Sequence, residues 1–180
     1  LYDWEGYPEQ DSEKARAYYE AAGENPYAYI SLGFLYYNGQ GVDADKAKGK
    51  EYFDNAIALG CMDGYYGLGT IAKDEEDYAA AMDNHNMAVE NGAEILYIES
   101  AMNSIGNLYQ YGQGVDIDYT KAMEWFQKAA DLGFADAINN IGVLYANGLG
   151  VEQDSAKALE YYQKAAEQKP NNEVLICNIG

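Results

Sequence analysis

The chain has 180 residues, 48% of them hydrophobic and 14% aromatic, enough apolar material for a folded core and too much for intrinsic disorder. Eleven Lys and Arg stand against thirty Asp and Glu, a net charge of −19, which argues against nucleic acid and anionic membranes as partners and favours basic ones. No apolar run approaches the roughly 20 residues of a bilayer span, and the N-terminus lacks a signal-like stretch, so the chain reads as soluble and without membrane insertion. A cytoplasmic location is preferred to a secreted or periplasmic one, which would require a removed signal.

In chain order, residues 1–26 read as a partial repeat, the second helix of a pair, with Asp11 as its N-cap and Tyr18 and Tyr19 as core aromatics. Residues 27–60 form a first full repeat. Its opening helix carries Ala28, Leu32, Gly33, Leu35 and Tyr36 at intervals of four and three, which place them on one face. Gly39 and Gly41 then suit a left-handed helix end and a tight turn, and Asp45 opens the second helix. The aromatic pair Tyr52 and Phe53 follows seven residues on.

Residues 61–92 form a second, irregular repeat. Gly64, Gly69 and Ile71 keep the pattern, but Ala72 runs into an acidic stretch and the glycine turn is short by four residues. Asp77 is the expected cap, and Asn84 and His85 replace the aromatic pair. Residues 93–133 and 134–169 are regular again, with the stripes Ala101, Ile105, Gly106, Leu108 and Ala137, Ile141, Gly142, Leu144. Their turns hold Gly112 and Gly114, then Gly148 and Gly150; their caps are Asp118 and Asp154; their aromatic pairs are Trp125–Phe126 and Tyr161–Tyr162. Five extra residues around Glu94–Glu99 restore the period and are expected to lengthen the helix there. Residues 170–180 read as the first helix of a further repeat or a capping helix. Its apolar Val174, Leu175, Ile176 and Ile179 call for a cover, so a segment of a longer array is expected.

Gly33, Gly69, Gly106 and Gly142 are 36, 37 and 36 residues apart. That period means paired helices stacked in an array, each repeat too small to bury its own apolar face. The fold class is therefore all-α, an α/α superhelical solenoid of helix-turn-helix repeats in a single domain over 1–180. Gly in mid-helix costs roughly 1 kcal/mol against Ala, so its return at one slot predicts a close approach of two backbones.

Residues 137–166 and 101–133 closely follow the pattern A-x-x-x-L-G-x-x-Y-x-x-G-x-G-V-x-x-D-x-x-K-A-x-x-W-Y-x-K-A-A, including Lys121, Ala122, Trp125, Lys128, Ala129 and Ala130. In this the chain resembles the Sel-one-like repeat family, relatives of the tetratricopeptide repeats. The resemblance implies an α/α superhelix that binds proteins or peptides, often as an adaptor. Cysteine-rich members of that family bridge adjacent helices, but Ala56 and Ile57 occupy the partner position of Cys61, so that pairing does not carry over; Cys61 and Cys177 lie too far apart to bond.

Nothing in the chain reads as catalytic. The glycine turns lack the third glycine of a dinucleotide loop, where Ala44, Ile117 and Gln153 stand, and they follow helices instead of strands. The acidic runs read as caps and solvated faces, not as a metal site, and no cofactor is expected. His85 has no assignable nucleophile or acid partner and reads as a packed helix residue.

The face of each first helix opposite its core stripe carries Ile30, Phe34 and Tyr37; Tyr66, Thr70 and Lys73; Asn103, Asn107 and Gln110; Asn139, Val143 and Ala146. Carboxamides both donate and accept, so such a row can hold a peptide backbone whatever its sequence. The expected peptide-binding surface is thus Phe34, Tyr37, Tyr66, Thr70, Asn103, Asn107, Gln110, Asn139 and Val143, aromatic anchors first and amide clamps after. A protein or peptide, with a basic one favoured, is the expected partner. The alternative is a glycan, stacked on exposed tyrosines at a cell surface.

Overall fold

The computed structural model of the chain describes residues 9–169, with the side chains from Ser12 onward except at Ile95 and Leu96. The expected helix over 170–180, its apolar residues and Cys177 lie outside the described residues, as do residues 1–8. Within them the chain forms nine helices and no strand, the all-α repeat fold expected from the period. It divides into two compact units, residues 1–93 and 94–180.

The first unit holds α1 (Glu9–Ala21), α2 (Pro26–Asn38), α3 (Lys46–Ala58), α4 (Asp63–Asp74) and α5 (Tyr78–Glu90). The helix α1 starts before Asp11, so Asp11 lies in its first turn instead of capping it. The caps expected of Asp45 and Asp77 are present: each carboxylate accepts the backbone N–H three residues on, from Lys48 at 2.9 Å and Ala80 at 3.1 Å. Asn25 adds a cap for α2, accepting from the backbone of Tyr27 and Ala28, with Pro26 at the first helical position, where its missing N–H has no partner to lose.

The second unit holds α6 (Ile95–Tyr111), α7 (Tyr119–Asp131), α8 (Ala135–Asn147) and α9 (Ser155–Gln168). The helix α6 has 17 residues against 13 in α2 and α8, as the extra residues before Ser100 predict. Asp118 and Asp154 cap α7 and α9 by the same three-residue reach. The turn after α8 needs both of its glycines. Gly148 ends the helix at a φ of +64°, and Gly150, at +69°, lies so close to Tyr119 that a Cβ there would fall 2.7 Å from the tyrosine Cβ. The turn after α2 is alike: a Cβ at Gly41 would fall 2.8 Å from the Glu13 nitrogen of α1, so in both turns glycine lets the chain settle on the start of the preceding second helix.

The apolar stripes form the core as the spacing predicts: Leu32, Leu35, Ile71, Ile105, Leu108, Ile141 and Leu144 are buried. At two of the mid-helix glycines the backbones do come close: the Ala158 carbonyl oxygen would lie 3.2 Å from a Cβ at Gly142, and the Gly33 carbonyl oxygen 2.9 Å from one at Gly49 of α3. The nearest atoms, however, belong to a ring of the same repeat's second helix. A Cβ at Gly33 would stand 2.4 Å from Phe53, at Gly106 2.5 Å from Phe126, and at Gly142 2.6 Å from Tyr162. Each glycine is a notch that admits the second member of the aromatic pair. The first member goes elsewhere: Tyr52 stacks on Tyr36 at 5.5 Å between centroids, and Tyr161 on Tyr145 at 5.6 Å. Over those tyrosines lies the repeated lysine, Lys48 at 4.0 Å from the Tyr36 centroid and Lys157 at 5.0 Å from that of Tyr145.

In the irregular repeat the notch is kept and its occupant changes. Gly69 faces His85, whose Cε1 would be 2.6 Å from an added Cβ, so the imidazole sits where the phenyl ring sits in the regular repeats. The shortened turn between α4 and α5 reverses without glycine, and Glu76 takes a φ of +61° to do it.

Candidate functional site

The ligand surface expected from sequence falls into two parts, one in each unit. In the first unit, Phe34 and Tyr37 come from α2 and Tyr66 and Thr70 from α4. All four are half-buried. Phe34 stands edge-on to the core ring Phe53 at 4.9 Å and lies 6.2 Å from Tyr66, so adjacent first helices present two aromatic rings side by side. Ile30, read on the same face, is only 3% exposed and belongs to the core. Thr70 turns its hydroxyl back to the Tyr66 carbonyl at 2.9 Å, the usual satisfaction of a helical threonine.

Tyr37 is more constrained than the sequence suggested. Its hydroxyl donates to Asp74 at 2.5 Å, linking α2 to the end of α4, and Lys46 approaches the same carboxylate at 3.5 Å. Burial, with the Asp74 hydrogen bond and charge added to it, pushes the phenol well above its ordinary range. Tyr37 is therefore a neutral donor throughout the physiological range. Asp74, read from sequence as part of a solvated acidic run, is the residue that fixes it.

Beneath Tyr66 lies His85, 5.7 Å away between ring centroids and 0% exposed. Neither ring nitrogen has a hydrogen-bond partner. Burial first, then the positive charge of Lys73, lowers its pKa to about 4, so the imidazole is neutral near pH 7. With neither nitrogen hydrogen-bonded to a carboxylate or nucleophile among the described residues, His85 lacks the oriented partner that general-base chemistry requires. The sequence reading of a packed residue holds, and the aromatic slot it fills explains its depth.

In the second unit, α6 supplies Asn103, Asn107 and Gln110, and α8 supplies Asn139 and Val143. Asn103, Asn107, Asn139 and Val143 are half-buried, whereas Gln110 is 6% exposed, with its Oε1 buried and unpartnered. Gln110 is therefore buried and is not an exposed clamp. One residue escaped the sequence reading: Asn140, on α8, donates from Nδ2 to the side-chain oxygen of Asn103 at 2.9 Å and to that of Asn107 at 3.4 Å. Its position two residues before the glycine falls between the core stripe and the ligand face, so periodicity alone assigns it to neither.

Among the described residues no cluster of His, Cys, Asp and Glu could hold a metal ion, and no helix is long and apolar enough to cross a membrane. The caps Asp77 and Asp118 spend their carboxylates on backbone N–H groups. Cys61 is buried beside Asp63, 3.5 Å from its carboxylate.

The family profile described as Sel1 repeat matches residues 3–25, 26–61, 99–134 and 135–170. The unmatched stretch between them is the irregular repeat, where the glycine turn is shortened. No curated protein sequence matches the chain significantly. Among solved structures, a Sel1 repeat protein from Oxalobacter formigenes is 29% identical with a TM-score of 0.74, over 93% of this chain and 68% of the other. The immunity protein Pa5087 from Pseudomonas aeruginosa is 26% identical with a TM-score of 0.62, over 85% of this chain and 57% of its own. YrrB, described as a TPR protein with an unusual peptide-binding site, is 26% identical with a TM-score of 0.55, over 93% and 83% respectively.

Proposed function

The chain belongs to the Sel1 repeat family, and from that premise we propose that it is a non-catalytic scaffold whose first-helix faces hold extended, basic polypeptide segments. Repeat proteins of this kind generally mediate contacts between proteins. The finer reading rests on one observation. Phe34 and Tyr66 stand side by side, half-buried and braced from below by Phe53 and His85. Aromatic rings fixed in this way lose little conformational freedom on binding and make efficient anchors. The peptide-binding site named for YrrB supports the same use of a related array.

Tyr37 and Thr70 complete the first unit's face, while Asn103, Asn107, Asn139 and Val143 make up that of the second. With a net charge of −19, association with a basic segment is accelerated at low salt and weakens as salt rises.

The test is selection from a random-peptide display library on the immobilised protein, followed by calorimetry with the strongest synthetic peptide. The expected peptides are rich in Lys and Arg, their affinity falls with salt, and a Phe34→Ala, Tyr66→Ala variant of unchanged circular dichroism binds at least about tenfold more weakly, the loss of roughly 1.4 kcal/mol. Equal binding to both proteins would remove these faces from the account. Salt-independent binding of neutral oligosaccharides, with no peptide selected, would replace the peptide by a glycan.

A further inference from the structure

We propose that Asn140 is a positioning residue, which orients Asn103 and Asn107 as a pair of N–H donors for the backbone carbonyls of an extended polypeptide. The inference rests on the scaffold reading above and adds to it the polarity of the ligand on this face.

Asn103 and Asn107 lie one turn apart on α6, and Asn140 reaches both from α8, its Nδ2 at 2.9 Å and 3.4 Å from their side-chain oxygens. A carboxamide has one acceptor oxygen and one NH₂ group set apart across the same plane. With both oxygens turned toward Asn140, both Nδ2 groups turn away from it, on residues that remain half-exposed. A helix rises about 1.5 Å per residue, which separates the two donors by about 6 Å along the axis. An extended chain rises about 3.3 Å per residue and shows carbonyls to one side at every second residue, a repeat of about 6.6 Å. Two donors at that spacing match two successive same-side carbonyls. Gln110, next along the same face, is buried, so the row stops at two.

The occupant is a polypeptide for two reasons: the donor spacing follows that of an extended backbone, and the acidic chain attracts basic segments. The amides themselves carry no charge and therefore read the backbone, leaving the partner's cationic side chains to the net negative charge of the chain.

The probe is oligosarcosine, a polypeptide backbone that keeps its carbonyls and has no N–H to donate. Its effect is followed on the side-chain amide signals of Asn103 and Asn107 by nuclear magnetic resonance. In the unaltered protein, titration shifts both signals. Asn140→Asp replaces the donor by an acceptor, which turns both amides over and points their oxygens outward; the shifts are lost, while the backbone spectrum keeps its dispersion. Asn140→Leu leaves the amides free to rotate and retains a part of the response. A role of Asn140 in packing alone would make Asp and Leu act alike.

Equal shifts in the unaltered protein and Asn140→Asp, or none in either, would overturn the proposal. So would cellohexaose moving the signals where oligosarcosine does not. If oligosarcosine fails while display-selected peptides still bind through Phe34 and Tyr66, the scaffold reading stands and the polarity is wrong. If oligosarcosine behaves as stated while no peptide is selected, the positioning role stands and the choice of partner fails.

Discussion

His85→Phe is expected to stabilise the first unit and to remove part of its sensitivity to acid. The imidazole is wholly buried against Gly69 with both nitrogens unpartnered, in the slot that holds Phe53 and Phe126 in the regular repeats. A buried polar group without a partner costs about 1–3 kcal/mol, so replacing it by a ring of similar shape gains about that much near neutral pH. The pH dependence is separate. The folded-state pKa is depressed from 6.5 to about 4, so the folded protein binds fewer protons than the unfolded one between those values. Stability is fully present above the unfolded pKa and is lost as pH falls through 6.5 toward about 4. At about 1.4 kcal/mol per unit the total loss is roughly 3 kcal/mol. Tyr66 of α4 packs on the ring and is a poor acceptor, and the charge of Lys73, on the same helix, adds to the depression. Urea denaturation of both proteins above pH 6.5 and again near pH 4 measures the effect. Carboxylate titration is common to both proteins and cancels in the difference. His85→Phe is predicted to be more stable at both values, with the larger advantage in acid. Identical loss on acidification in the two proteins would refute the account of His85 as an unprotonated core residue.

Gly106→Ala is expected to lower stability by about 1–3 kcal/mol, because its Cβ would stand 2.5 Å from Phe126, where a solvent-facing helical glycine would gain about 1 kcal/mol from the same change. Thermal denaturation reads the sign, and Phe126→Leu in the same chain restores part of the loss. Glu76→Gly is expected to raise stability by about 1 kcal/mol, since Glu76 holds a left-handed φ that only glycine adopts freely. Asp154→Ala is expected to lower it by about 1 kcal/mol through loss of the bond to the Lys157 N–H, with helix content falling first in α9 under mild denaturant.

Much of this structure is readable from local rules. The core stripe, the glycine turns and the Asp caps depend on residues within a few positions of each other, and helical geometry converts those spacings directly into faces and bonds. The longer α6 follows from the inserted residues in the same way. What escaped depends on partners distant in sequence. The notch at Gly33 is legible as a close approach, but that Phe53 fills it depends on how two helices cross. Ile30 and Phe34 are one turn apart on α2, yet one is buried and the other half-exposed, because exposure at the border of a stripe is set by the neighbouring helix. Asn140 lies in that same border zone, and its link to Asn103 spans 37 residues. Tyr37 and Asp74 are likewise 37 apart, one repeat, so a search for polar pairs separated by the period would have found both contacts.

The central claim is that the first-helix faces bind polypeptide. The most direct test is to titrate the isotopically labelled protein with the strongest display-selected peptide and map the perturbed resonances. The account predicts shifts at Phe34, Tyr37 and Tyr66 in the first unit and at Asn103, Asn107 and Asn139 in the second. Perturbations confined to the exposed residues of α3, α5, α7 and α9, with these six unmoved, would contradict it.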